Sequence, residues 1–375
     1  MKAVFGLDAP GWRASCSMGL PISGAIGTAR LICILGIVYV HGWTGLPGSD
    51  LAARDETTQG IMRWALIELC GRSAVPLLSL ISGWLVVRSA RQRRYGAFVA
   101  GKLRVILLPM LVWNMIALIL VIGAARLGWI AAPQPSGIAS LLNELVSLSG
   151  PAEIDVQMGF LRDLFLCMLL APLLARMPTV ILLAVVALAM AWDVGGWTSV
   201  ILLRPAILLF FVGGMLAARY RVAEQVGVMP IWLAVLPFLL VLPFKLGLSI
   251  AGDATAVQEG HLVALIDLML RVAAAILVWR ISILIALKSG GGWMRALEPY
   301  VFLLFCSHVL FMWLLGPMIG RLTGPMGSAA WPAYFVVQPL LALGFAILLG
   351  VTLAALSPAL ARVLSGGRLG RVSRL

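Results

Sequence analysis

Ten apolar runs follow one another along the chain, at roughly 26–45, 64–87, 105–125, 159–175, 178–192, 201–218, 229–249, 262–286, 299–320 and 331–356. Several exceed the ~20 apolar residues that cross a hydrocarbon core about 30 Å thick. The pattern predicts an all-α fold, a polytopic transmembrane bundle of about ten spans. The fourth, fifth and sixth runs are short or closely joined. The longest polar gap, 126–158, holds Pro133, Pro135 and Pro151 and reads as an outer loop with a short surface helix at Ile138–Leu148. Residues 1–25 form an N-terminal segment, 26–356 the transmembrane domain, and 357–375 a basic tail.

Composition agrees. Of the residues, 62% are hydrophobic and 11% charged, too little charge to cover a soluble protein of 375 residues. The formal net charge of +13 would suggest nucleic acid in a soluble chain. Here the basic residues recur in alternate loops, among them Arg88, Arg91, Arg93, Arg94, Lys102, Arg104, Arg176, Arg219, Arg221, Lys288, Arg295, Arg362 and Arg368. The acidic residues Asp50, Asp55, Glu56, Glu144, Glu153 and Asp155 fall in the others. By the positive-inside rule both termini are cytoplasmic, in a multi-pass protein of a bacterial inner membrane. No nucleic-acid partner and no metal site are expected. The five cysteines form no CxxC pair and read as small packing residues. The stretch before Ile26 is rich in Gly and Pro and does not read as a cleaved signal peptide.

Charges inside apolar runs are costly and point to polar cavities or pairs. Arg30 and His41 are eleven residues apart, which on one helix sets them on one face about 16 Å apart along the axis. They either line a common cavity, or Arg30 reaches the inner headgroups and His41 the outer interface. Glu68 and Arg72, and Asp267 and Arg271, are spaced to pair at i, i+4. Arg162 and Asp163 lie in the fourth run. His308 lies mid-run in PYVFLLFCSHVLFMW, either as a functional group or bonded to a neighbouring helix. The densest basic stretch, Arg88 to Arg104, fits anionic lipid or a polyphosphorylated cytoplasmic ligand.

Five stretches resemble the acyltransferase 3 family of integral-membrane O-acyltransferases. They are Arg30–x10–His41 in RLICILGIVYVH, VPLLSLISGWLV at 75–86, KLRVILLPMLVWN at 102–114, GFLRDLFLCMLL at 159–170 and YVFLLFCSHVLFMW at 300–313. In the fourth, Gly159 and Phe160 stand where the family has a tryptophan. The resemblance covers about 26–356 and is to the membrane-only kind, without an added esterase-like domain. It implies transfer of an acyl group, acetyl or succinyl, from acyl-CoA to a hydroxyl of an exported or cell-surface polysaccharide.

On that reading His41 is the general base, or carries the acyl group covalently. Its ring, with an ordinary pKa of about 6.5, suits proton transfer at neutral pH. Arg30 lines the donor passage, and Arg72, Ser82 and His308 are candidate donors to the oxyanion. The donor phosphates rest on Arg91, Arg93, Arg94, Lys102 and Arg104, with Ser82 on the donor side. Trp43, Trp129 and Trp331 either stack on sugar rings or anchor the interface. The rival classes are a transporter or flippase for a glycan or small anion, for which no internal repeat is found, and an assembly subunit.

Overall fold

The computed structural model describes residues 20–72, 74–89, 94–250, 260–288 and 292–369, and among them every regular element is a helix. In chain order these are α1 (Ile22–Val40), α2 (Gly48–Ala52), α3 (Thr58–Leu66), α4 (Ala74–Val87), α5 (Tyr95–Lys102), α6 (Leu108–Arg126), α7 (Ile138–Val146), α8 (Met158–Leu174), α9 (Thr179–Gly195) and α10 (Pro205–Arg219). They continue with α11 (Val222–Val228), α12 (Ile231–Ile250), α13 (His261–Lys288), α14 (Gly292–Leu314), α15 (Gly316–Thr323), α16 (Trp331–Leu356) and α17 (Pro358–Leu364). Wider π turns at Ile67–Gly71 and Leu103–Leu107 extend α3 and join α5 to α6.

Each of the ten apolar runs falls on a helix, but fewer are long enough to cross a bilayer alone. Six stretches are: Ile22–Val40, Thr58–Val87, Tyr95–Arg126, His261–Lys288, Trp293–Leu314 and Trp331–Leu356. The pair α10 and α11, bent by 77°, makes a seventh if it is one span. The shortfall lies where the runs were short or closely joined: α8 and α9 have 17 residues each and α10 has 15. The run at 299–320 is also interrupted, because α14 ends at Leu314 and α15 begins at Gly316.

The chain divides into two compact units. The first comprises Met1–Ile32, Ser73–Ala100 and Leu166–Arg295. At its centre α4 crosses α10 so closely that a Cβ on Gly83 would overlap the Phe211 carbonyl, and one on Gly214 the Leu80 carbonyl. Glycine at both positions lets the backbones touch, the usual device of helices that cannot gain by hiding apolar surface from lipid. Several charges in this unit are paired internally. Arg88 pairs with the fully buried Glu224 and lies 4.2 Å from the centre of the Trp84 ring. On α13, Asp267 meets Lys245 at 2.6 Å and Arg271 reaches Asp193 at 3.7 Å, so both expected partners of one i, i+4 pair extend to other helices. Arg219 donates to the carbonyls of Ala175 and Met177, and Arg280 to those of Gly227 and Met229. These carbonyls stand at helix ends with no partner further along the helix, and the guanidinium supplies it.

The second unit comprises Cys33–Arg72, Gly101–Phe165 and Ala296–Leu375. Gly36 of α1 touches the backbone of Cys70, and Gly71 packs beneath Val40, so α1 and the first π turn are also in glycine contact. The tail is not loose as far as it is described. α17 packs on α6, the Trp113 indole donates to Leu364 O at 3.1 Å, and Arg368 lies 4.1 Å over the Phe302 ring.

Gly214→Val sets a branched side chain against the Leu80 backbone and should cost about 1–3 kcal/mol as overpacking. A markedly lower melting temperature in detergent is expected. Gly213→Ala, whose Cβ meets only the Leu80 Cδ2 at 3.5 Å, is expected to melt like wild type.

Candidate active site

The second unit brings together the two histidines singled out in the sequence. α1 stops at Val40, so His41 stands just past the helix end, and its N–H donates to Val38 O at 3.2 Å, closing a tightened last turn. It was expected inside the span; the helix ends at Val40, five residues sooner than 45. The His41 ring lies 5.5 Å from the His308 ring, centre to centre, with the planes tilted by 44°. His308 is fully buried in α14. Its Nδ1 lies 2.8 Å from Phe305 O and 3.2 Å from Leu304 O. Carbonyl oxygens only accept, so Nδ1 carries the hydrogen and Nε2 a lone pair. That Nε2 is buried without a hydrogen-bond partner among the described residues.

The exit of α1 is fixed by a side chain that sequence reading did not single out. Gln338 of α16 is fully buried. Its Oε1 accepts from Trp43 N–H at 2.9 Å, and its Nε2 donates to Trp43 O at 3.0 Å. One carboxamide thus bonds both the N–H and the C=O of a residue that has left its helix, and the Trp331 indole donates to the same carbonyl at 3.4 Å. The Trp43 ring nests against Gly316 and Gly320 and leans on Tyr334 at 5.9 Å. Trp331 is fully buried and stacks on Phe335 at 4.8 Å. Trp331 is therefore enclosed as a packing residue, Trp43 is half-buried, and Trp129 is exposed.

A second omission is the loop between α7 and α8. The Glu144 carboxylate accepts from the N–H groups of Glu153 and Ile154, both at 2.9 Å, and Trp313 donates to Ile154 O at 2.9 Å. So anchored, the loop runs along α14. Gln157 Nε2 reaches the carbonyl of Cys306 at 3.3 Å, two residues before His308, and Asp155 Oδ1 at 2.5 Å. Trp313 and Cys306 are seven residues apart, so the loop descends about 10 Å beside the helix. Asp155 and Gln157 are each 2% exposed. Burial pushes the Asp155 carboxyl up to about 8, against the lowering effect of the Gln157 hydrogen bond and with a small upward push from Glu144. The sequence signal was present: in Ile154-Asp155-Val156-Gln157-Met158 the polar residues alternate with apolar ones.

The remaining predicted site residues are distributed as follows. Arg72 pairs with the buried Glu68 at 2.7 Å, as their spacing indicated, in and just past the first π turn. Lys102 ends α5 half-buried, and Arg104 is exposed in the second π turn. Both belong to the second unit. Arg30, half-buried on α1, and Ser82, whose hydroxyl donates to Leu78 O, belong to the first, as does the exposed Arg94. Arg91 and Arg93 lie outside the described residues. Arg162 bonds its neighbour Asp163, fully buried, at 2.7 Å.

The model of the acyltransferase domain family matches residues 24–357, and the chain belongs to that family, acyltransferase 3. It is therefore a multi-pass membrane enzyme that transfers acyl groups other than aminoacyl. Among curated proteins it is similar to the succinoglycan biosynthesis protein ExoH of Rhizobium meliloti (strain 1021), 28% identical over 370 residues that cover 94% of each chain. No solved structure matches.

Gln338→Leu removes both bonds to the Trp43 peptide. A loss of about 2 kcal/mol in stability is expected, with acyl transfer falling more steeply than the amount of folded protein. A second expectation concerns pH. The folded-state Asp155 carboxyl titrates at about 8 and an unfolded one at about 3.9, so folding takes up a proton between those values. The unfolded state then binds fewer protons, and stability falls as pH rises from about 4 to about 8. Melting curves across that window should slope less in Asp155→Asn, with the variant gaining on wild type toward the alkaline end.

Proposed function

We propose that the protein transfers an acyl group from an acyl-CoA, acetyl or succinyl, to a hydroxyl of an exported or cell-surface polysaccharide. The observation that carries this is the His41–His308 contact, with one ring pinned through Nδ1 so that its buried Nε2 keeps an unshared pair. With its hydrogen on Nδ1, His308 has none to give an oxyanion, contrary to the role the sequence suggested, and can only accept; the neighbouring His41 takes the hydroxyl proton as general base. The sugar oxygen bonds to the acyl carbon, the C–S bond breaks, and the proton taken by the histidine passes to the departing thiolate. The alternative, an acyl group carried first on His41, uses the same residues. The relative named for succinoglycan biosynthesis supports a polysaccharide acceptor and keeps succinyl beside acetyl.

The basic residues Arg91, Arg93, Arg94, Lys102 and Arg104 supply phosphate contacts to the donor, for which guanidinium groups are well shaped. Arg30 and Ser82 act on the donor side, and Arg72 stabilises charge at the carbonyl oxygen. The charge distribution along the chain supports ten crossings of a bacterial inner membrane, with both termini and the donor in the cytoplasm and the glycan outside. A transporter would share the intramembrane ion pairs but not the need for a thioester.

The test is turnover. Purified protein in proteoliposomes, given acetyl-CoA or succinyl-CoA and de-esterified exported polysaccharide, should release free CoA and esterify the glycan. His41→Ala and Arg30→Ala should each reduce both products at least a hundredfold while inserting normally. Wild-type ester content in cells carrying His41→Ala would refute the assignment.

A further inference from the structure

Asp155 and Gln157 are deeply buried, come from a loop, and each leave one polar atom without a hydrogen-bond partner among the described residues: Asp155 Oδ2 and Gln157 Oε1. Leaving such a group unpaired costs about 1–3 kcal/mol, and here two stand side by side. Their chemistry is fixed by their other bonds. Gln157 spends its N–H groups on Asp155 Oδ1 and Cys306 O. The reverse amide orientation would set its oxygen against the Cys306 carbonyl, so the outward atom is an acceptor. Asp155 accepts through Oδ1. Burial holds this carboxyl protonated at neutral pH, and the hydrogen belongs on Oδ2, the oxygen that is not accepting. The pair therefore offers one donor and one acceptor.

We propose that Asp155 and Gln157 form the hydroxyl-binding pair of the acceptor site, taking one hydroxyl, or two adjacent hydroxyls, of a sugar at the depth of His308. A hydroxyl both accepts and donates, and so matches this pair atom for atom. A phosphate or carboxylate would meet the Gln157 oxygen with like polarity, and an apolar ligand would leave both atoms unpaired. Glu144 and Trp313 hold the loop in place from above. The inference rests on the acyl-transfer reading for what the bound hydroxyl then does.

The full-length protein in proteoliposomes tests it, with the donor that wild type turns over and exported polysaccharide stripped of esters by mild alkali. Asp155→Leu and Gln157→Leu should raise the KM for polysaccharide about tenfold or more, as loss of a buried hydroxyl contact does, and leave the KM for the acyl-CoA within about twofold. Asp155→Asn should stay within about threefold of wild type, since its oxygen still accepts from Gln157 and its N–H replaces the acid's O–H. An Asn variant as impaired as the Leu variant overturns the neutral-donor role. Equal changes in both KM values, with a lower melting temperature, mean that the pair only orders the loop or holds a water. Calorimetric binding of the polysaccharide separates this inference from the reading beneath it. If wild type releases no CoA, the acyl-CoA reading fails; binding lost in Asp155→Leu still supports the pair, and equal binding by all variants overturns it.

Discussion

A peptide group buried among apolar side chains must find its hydrogen-bond partner within the protein, and much of this molecule is arranged around that demand. Where α1 ends, the next polar backbone atoms would be orphaned; the Gln338 carboxamide takes both of those on Trp43. Where α8 ends, Arg219 takes two carbonyls, and Arg280 does the same at the end of α11. The same demand explains why a loop can lie beside α14: Glu144 and Trp313 satisfy its backbone before it brings Asp155 and Gln157 down. His41 meets His308 where Gln338 fixes the chain as it leaves α1.

Membrane character, helical class and the position of every long helix were legible in the apolar runs, because lipid imposes one composition on them, whereas short helices such as α2, α5, α11 and α17 lie outside the runs. Boundaries were less so. The break between Leu314 and Gly316 carries no charge or proline before it, and a hydropathy pattern does not register it. The π turns at Ile67–Gly71 and Leu103–Leu107 are equally silent, since they add a residue to a turn without changing its polarity. The short helices α8 to α10 show that apolar length is a bound on crossing and not a count of crossings.

In the site, isolated ionisable residues could be picked out one at a time by their cost in an apolar run. Spacing within one helix gave Glu68–Arg72 correctly. For Asp267 and Arg271 the same rule did not foresee Lys245 and Asp193, which approach from other helices. The meeting of His41 with His308 is likewise tertiary and has no signature in either segment. Asp155 was counted only as one acid of an outer loop, and Gln157 not at all, because a loop is read as solvated unless something shows otherwise. Arg88 was grouped with a ligand-binding run, yet its guanidinium is engaged by Glu224 and the Trp84 ring.

The bond from His308 Nδ1 to its own helix carries one more consequence. An imidazole conducts protons by receiving at one nitrogen and releasing from the other. Here the second nitrogen is tied to Phe305 O, so a proton that arrives at Nε2 has to depart from Nε2. The ring serves as a depot with a single door. Whatever group takes the proton onward has to come to the same nitrogen that received it.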